Sequence, residues 1–350
     1  MEGVNELKKL KYFIIPGIFV IIFGFLNFYT LPYYITKPGM AKELDTVIEV
    51  MNGDEADGKF MLTTVWVAKA NILGYLLAQF NEFHKIDPIE NIRSEDETDE
   101  EYNVRQMYLM ENSQENALQV AFRYANKPID IKYKGVYVLK VFEGYPAYEV
   151  LKAGDRIVSI DNQEFETQND FINYIQSKKE GDSILVTYYR GDKKFENSIT
   201  LKLLPQTDKD EPAKPGIGIS LVEDKELETN PKVVIDSRDI GGPSAGLMFT
   251  LEIYNQLTEG DLTKGYRIAG TGTIDPEGNV GPIGGIDLKI VAADKEGAEI
   301  FFAPNEKGDP NSDYQNALKT AKKINSKMKI VPVDTFEDAL KFLENLEPKN

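Results

Sequence analysis

The chain has 350 residues, which calls for two compact units plus further segments rather than one small module. Its 42% hydrophobic residues supply enough apolar surface to offset ordering entropy, so wholesale disorder is excluded. A net charge of -17 repels a phosphate backbone and argues against nucleic acid, while zero Cys and one His exclude disulfides, thiolate chemistry and multi-His zinc sites.

From Tyr12 to Leu31 the sequence reads YFIIPGIFVIIFGFLNFYTL, without a charge and as long as the roughly 20 residues that cross a hydrocarbon core. Lys8, Lys9 and Lys11 precede it and a single nearby Lys follows, so the charge bias puts the N-terminus in the cytoplasm and the remainder outside. Tyr29, Tyr33 and Tyr34 are expected to form an interfacial aromatic belt, and no A-x-A-like cleavage site follows. An uncleaved anchor is therefore favoured over a signal peptide.

Next come LDTVIEV and KFMLTTVWVAKANILGYLLAQF, β-branched at first and helical towards the end. Residues 94–118 begin with a run of Asp and Glu and continue at helical spacing, as the macrodipole favours at a helix start. Between 129 and 204 short strands such as KGVYVLKV, DRIVSIDN and SILVTYYRG predict a small β unit with one helix near 169–177. PQTDKDEPAKPG, 205–216, has a linker's composition. Beyond it, strands KVVID, RIAGTGTI, AEIFFAP and KIVPV alternate with helices near 245–257, 286–296, 312–325 and 335–346.

The run GVYVLKVFEGYPAYEVLKAGDRIVSIDNQEF, 135–165, joins an apolar strand, a Pro-Ala turn, a Lys-Ala-Gly-Asp corner and a second strand. Gly154 and Asp155 alone make an ordinary tight corner. The combined run resembles a bacterial PDZ domain over 126–205. That resemblance implies strand-addition binding of an extended peptide. The usual carboxylate-loop sequence is not recognisable upstream of Gly135, so no peptide-binding residue is assigned.

After KVVID, the sequence SRDIGGPSAGLMF puts Ser244 where a glycine-rich loop meets a helix. Gly242 permits unusual dihedrals, Ala245 leaves room for a carbonyl, and the helix N-terminus offers free N–H groups to an oxyanion. The same Ser is equally readable as an N-cap. In GPIGGIDLKIVAADK, Lys289 sits among apolar residues near a helix start, where desolvation and the dipole depress its pKa towards 7 or 8. Its alternative is a snorkelling lysine that covers apolar surface.

GGPSAG, AGTGTI and GPIGGIDLKIVAA, in this order, resemble the Lon-type Ser-Lys peptidases over about 217–346. The resemblance implies Ser244 as nucleophile, Lys289 as base and Thr271 as a hydroxyl that orients the lysine; Gly242 and Ala245 are the oxyanion-loop candidates from the reading of the residues. No G-x-x-x-x-G-K-[ST] loop occurs, so the ATPase of cytoplasmic Lon proteases is not expected. The whole arrangement resembles the membrane-anchored, PDZ-containing Lon-like proteases of Gram-positive bacteria.

The expected class is α+β, in five parts: a cytoplasmic N-terminus (1–11), a transmembrane anchor (12–34), an extracytoplasmic region (35–125), a mainly-β PDZ domain (126–208) and an α/β Lon-type protease domain (209–350). The expected function is ATP-independent serine endopeptidase activity at the outer face of the cell membrane. One rival is a membrane-tethered PDZ scaffold with an inactive protease-like domain. Another is an exported trypsin-like protease, which must recruit His84. No metal or organic cofactor is expected. The partners are a peptide or protein substrate and the membrane, with homo-oligomerisation left open.

Overall fold

Every residue of the strand Ile300–Pro304 is buried, as a strand covered on both faces requires. Ile300 and Phe302 join the core on one side and Phe301 and Ala303 the core on the other, because successive side chains alternate. The computed structural model, which describes residues 2–94, 97–205, 212–237 and 240–349 with side chains from residue 15 onward, builds a six-stranded sheet around this strand. Lys329–Val333 and Arg267–Gly270 flank it in parallel. Lys59–Asn71 continues the sheet in parallel beside Arg267–Gly270, followed by the antiparallel Thr30–Glu43 and the edge strand Lys85–Pro88.

This pairing crosses the boundaries expected from the sequence. Three of the six strands come from residues 30–88, so the region before 125 and the region after 209 share one sheet and one core. The helices Gly246–Leu257 and Phe336–Glu344 cover one face, where Phe249, Leu251, Phe336 and Leu340 meet Phe60, Leu62, Ile268 and Phe302. Ile286–Lys295 and Asp313–Lys323 cover the other, with Ile290, Ala293 and Ala317 against Met61, Ala269 and Phe301.

A 26-residue helix, Asp99–Tyr124, lies across the first face. A capping box between Thr98 and Glu101 and three acids in its first turn start it, as orphan N–H groups and the dipole favour. Met110, Ala117, Val120, Ala121 and Phe122 bury its inner stripe. From its end the chain enters a second sheet, ordered Ile219–Thr229, Ile129–Val141, Arg156–Ile160, Ser183–Arg190 and Lys193–Thr200. Its own core gathers Val136, Val138, Ile157, Phe171, Val186 and Ile199. Asp155, fully buried, ties the Lys-Ala-Gly-Asp corner by accepting from the Lys152 amide at 2.8 Å and from Arg190 Nε at 2.7 Å. Part of the expected linker, 206–211, lies outside the described residues. The strand Ile219–Thr229 beyond it pairs along Ile129–Val141, so this sheet extends past residue 208.

The apolar N-terminal run lies in the helix Glu2–Phe28 only as far as Phe28, and the expected anchor is cut short because Thr30 to Tyr34 already pair in the strand Thr30–Glu43; the helix's side chains before residue 15 are outside the described residues. Among the described residues no helix is long and apolar enough to cross a membrane. One tyrosine departs from the expected belt. Tyr34 is 6% exposed and stacks on Tyr102 inside the fold, while Tyr29 stays exposed.

Candidate active site

Ser244 and Lys289 arrive from opposite faces of the six-stranded sheet and meet at the C-terminal end of Arg267–Gly270, where Thr271 follows. Ser244 occupies the turn before Gly246–Leu257, a helix buried almost all round and therefore fixed by the core rather than by propensity. Gly246 must be glycine for steric reasons, since a Cβ there would stand 2.6 Å from Ile274 Cγ2 and 2.9 Å from both Ile274 N and Ser113 Oγ. The Ser244 carbonyl accepts from the Gly272 amide at 2.9 Å and from Thr271 Oγ1 at 2.9 Å, which ties the turn to the strand end.

Lys289 lies in the first turn of Ile286–Lys295, behind Gly285 in the left-handed region at φ 73°. Only 2% exposed, its Nζ stands 2.8 Å from Ser244 Oγ and 2.8 Å from Thr271 Oγ1. Burial pushes the amine down from 10.5 to about 7, against the opposing pull of the Asp313 carboxylate. Asp313, 8% exposed, is itself pushed up by burial and accepts from the Ile283 amide at 2.8 Å. Because Thr271 spends its proton on the Ser244 carbonyl, its oxygen faces Nζ as an acceptor. A neutral amine then donates to Thr271 and turns its lone pair to the Ser244 hydroxyl, the arrangement a general base needs.

Of the expected oxyanion residues, Gly242 donates its amide to the Gln106 carbonyl at 2.9 Å and is thereby engaged with the long helix. The amides of Ser244 and Ala245 have no acceptor among the described residues and sit at a helix N-terminus, where an oxyanion is favoured. The long helix also donates Ser113 Oγ to the Pro243 carbonyl at 3.0 Å and Gln114 Nε2 to Ser237 Oγ. Gln106, Ser113 and Asp313 escape a reading of the sequence: two look like ordinary helical positions, and Asp313 looks like a first-turn acid. His84 stands in the turn before the edge strand, with its amide on the Asn81 carbonyl, and takes no part in the contacts of Ser244. Among the described residues no set of three His, Asp or Glu side chains is arranged to hold a metal ion.

Comparison with known proteins follows this division. Residues 92–201 match the PDZ domain family, and residues 237–345 match the Lon protease (S16) C-terminal proteolytic domain. The chain is 32% identical over 109 residues to the Lon protease of Metamycoplasma arthritidis and 36% identical over 100 residues to that of Campylobacter concisus. These stretches cover 31% and 29% of this chain but 12% of either relative. Among solved structures, the PDZ domain of an SdrC-like protein from Listeria monocytogenes is 44% identical, covering 27% of this chain and 93% of that one at a TM-score of 0.24. The chain thus joins a region that matches the PDZ domain family to one that matches the Lon protease C-terminal proteolytic domain, and Ser244 and Lys289 meet within the latter.

Proposed function

We propose that the chain is a serine endopeptidase held at the outer face of the membrane by Glu2–Phe28, acting without ATP on peptide segments presented by its PDZ domain, as in Gram-positive Lon-like proteases. The contact of Ser244 Oγ with a lysine that burial holds near neutrality carries this reading. In the reaction, neutral Lys289 takes the Ser244 proton and the alkoxide attacks a peptide carbonyl. The developing oxyanion meets the amides of Ser244 and Ala245. The lysine ammonium then protonates the departing amine, and water hydrolyses the acyl-enzyme with Lys289 again as base.

The exposed apolar side chains of Phe19, Val20, Ile21 and Phe23 support the anchor, since a water-facing helix with this surface is costly. Independence from ATP draws on the one stretch that approaches a phosphate loop. Gly53–Lys59 has G-x-x-x-x-G-K spacing, but Phe60 stands where Ser or Thr must hold magnesium, and a strand follows instead of a helix. The cavity of ≈ 530 Å³ beside it is lined by Asp45, Glu49, Asp54 and Glu55, carboxylates that outnumber Lys59 and repel nucleotide phosphates.

The test is labelling by an active-site-directed serine probe on the full-length chain. Ser244 should be modified in the wild type, and labelling should vanish in Ser244→Ala and Lys289→Ala that retain their fold. A folded wild type that is never labelled and never cleaves peptide would favour the scaffold instead. Because the chain has no Cys, single-cysteine accessibility reads the topology cleanly: a cysteine at Glu180 should react from outside intact cells.

A further inference from the structure

The helix Ile72–Ala78 is too short to be stable alone, yet it is held firmly. Asn71 caps it by accepting from the Gly74 amide, and Ala78 packs with Ile35 and Ala70 above Leu31, Tyr33, Tyr75 and Ile86. Its outer face is the unusual part. Leu76 is 48% exposed, Leu77 59% and Phe80, in the turn that follows, 89%. Among the described residues none covers these side chains, and they lie beside the last turn of Glu2–Phe28: Asn71 Nδ2 donates to the Asn27 carbonyl at 2.9 Å and the two helices pack together. Phe28, in that last turn, is itself 86% exposed.

We propose that this helix and its turn rest in the interface of the bilayer that Glu2–Phe28 crosses, with Leu76, Leu77 and Phe80 inserted at the level where headgroups meet acyl chains. The inference rests on the anchor reading above. Continuity with the apolar helix selects lipid as the occupant: an exposed Leu-Leu and Phe at the point where a membrane span ends meet lipid before any soluble partner reaches them. The net charge of -17 gives no attraction to anionic headgroups, so the insertion is hydrophobic and indifferent to salt. The consequence is a fixed stance. The strand Lys59–Asn71 ends at this helix, and Leu62 on it pairs with Gly270 beside Thr271, so at about 3.3 Å per residue the dyad stands about 30 Å above the interface.

The single tryptophan makes the test direct. The full-length chain is reconstituted in phosphatidylcholine–phosphatidylglycerol vesicles with brominated acyl chains, and tryptophan emission is read in the wild type and in three variants. Wild-type Trp66, about 17 Å up the same strand from Asn71, should stay unquenched. In a Trp66→Phe background, Phe28→Trp should be strongly quenched, and Phe80→Trp should be blue-shifted and quenched to a similar degree at low and high salt, with Leu77→Trp as a second reporter. Quenching of Phe28→Trp with Phe80→Trp and Leu77→Trp both unquenched overturns the docking and leaves the anchor intact. Absence of quenching in all three overturns both.

Discussion

Replacing Lys289 by Met should abolish cleavage yet raise stability, and the gain should shrink as the pH is raised. Met keeps an unbranched stem and removes an amine that burial holds at about 7, against 10.5 in an exposed chain. Between these values the native amine binds fewer protons than the unfolded one, so the wild type gains stability as pH climbs from about 7 towards 10 and carries the full cost below 7. That interval corresponds to about 5 kcal/mol. Loss of the hydrogen bonds to Ser244 and Thr271 offsets about 2 kcal/mol, which leaves a net gain of about 3 kcal/mol at pH 6. For a domain of this size the expected rise in Tm is about 8 °C. At pH 9.5 the remaining cost, about 1 kcal/mol, no longer exceeds the lost bonds and the gap closes. Calorimetry of detergent-solubilised wild type and Lys289→Met at the two pH values measures this. An equal Tm difference at both, or a Met variant less stable at pH 6, would refute a buried amine with depressed basicity.

The base limb of the pH–rate profile should lie near 7, and Asp313→Asn, by removing the carboxylate that supports the ammonium, should move it lower; a limb that stays put would show that Asp313 does not act on Lys289. Ser113→Ala leaves the Pro243 carbonyl with only the longer bond from the Gly246 amide and should lower kcat about tenfold with little change in KM, measured on a short peptide. Gly246→Val forces a side chain into the space of Ile274 and Ser113, and should lower stability by about 2 kcal/mol or more, read as a fall in Tm. His84→Ala should leave kcat/KM within about twofold, whereas abolition of cleavage would restore the trypsin-like reading.

Much of this was legible because it is local. Short apolar runs bounded by polar residues announced Ile300–Pro304 and Lys329–Val333, and the helices after 245 and 286 began within a residue of the expected positions. The motif residues Ser244, Thr271 and Lys289 do converge in space. Pairing was not legible, since alternation says which face a strand buries and not which strand lies beside it. Nothing in KFMLTTVWVAKAN names Arg267–Gly270, some 200 residues later, as its neighbour. Tyr34 was misread for a related reason: an aromatic just past an apolar run looks interfacial until Tyr102 arrives from a distant helix to cover it.

That distant helix explains why the PDZ unit interrupts the sheet rather than trailing it. Asp99–Tyr124 leads directly into Ile129–Val141, so its path is fixed at one end by the PDZ sheet and along its length by the protease core. On one side Tyr108 stacks on Tyr137, a PDZ strand residue, at 6.2 Å. On the other, its Gln106 and Ser113 hold the Gly242 amide and the Pro243 carbonyl, the two residues before Ser244. A displacement of this helix by even an ångström would break bonds of 2.9 and 3.0 Å at the turn that aims Ser244, and misplacement on that scale costs about a hundredfold in rate. The turn at Ser244 is therefore held by separate stretches of chain, and the helix that positions it is the one that leads into the PDZ sheet.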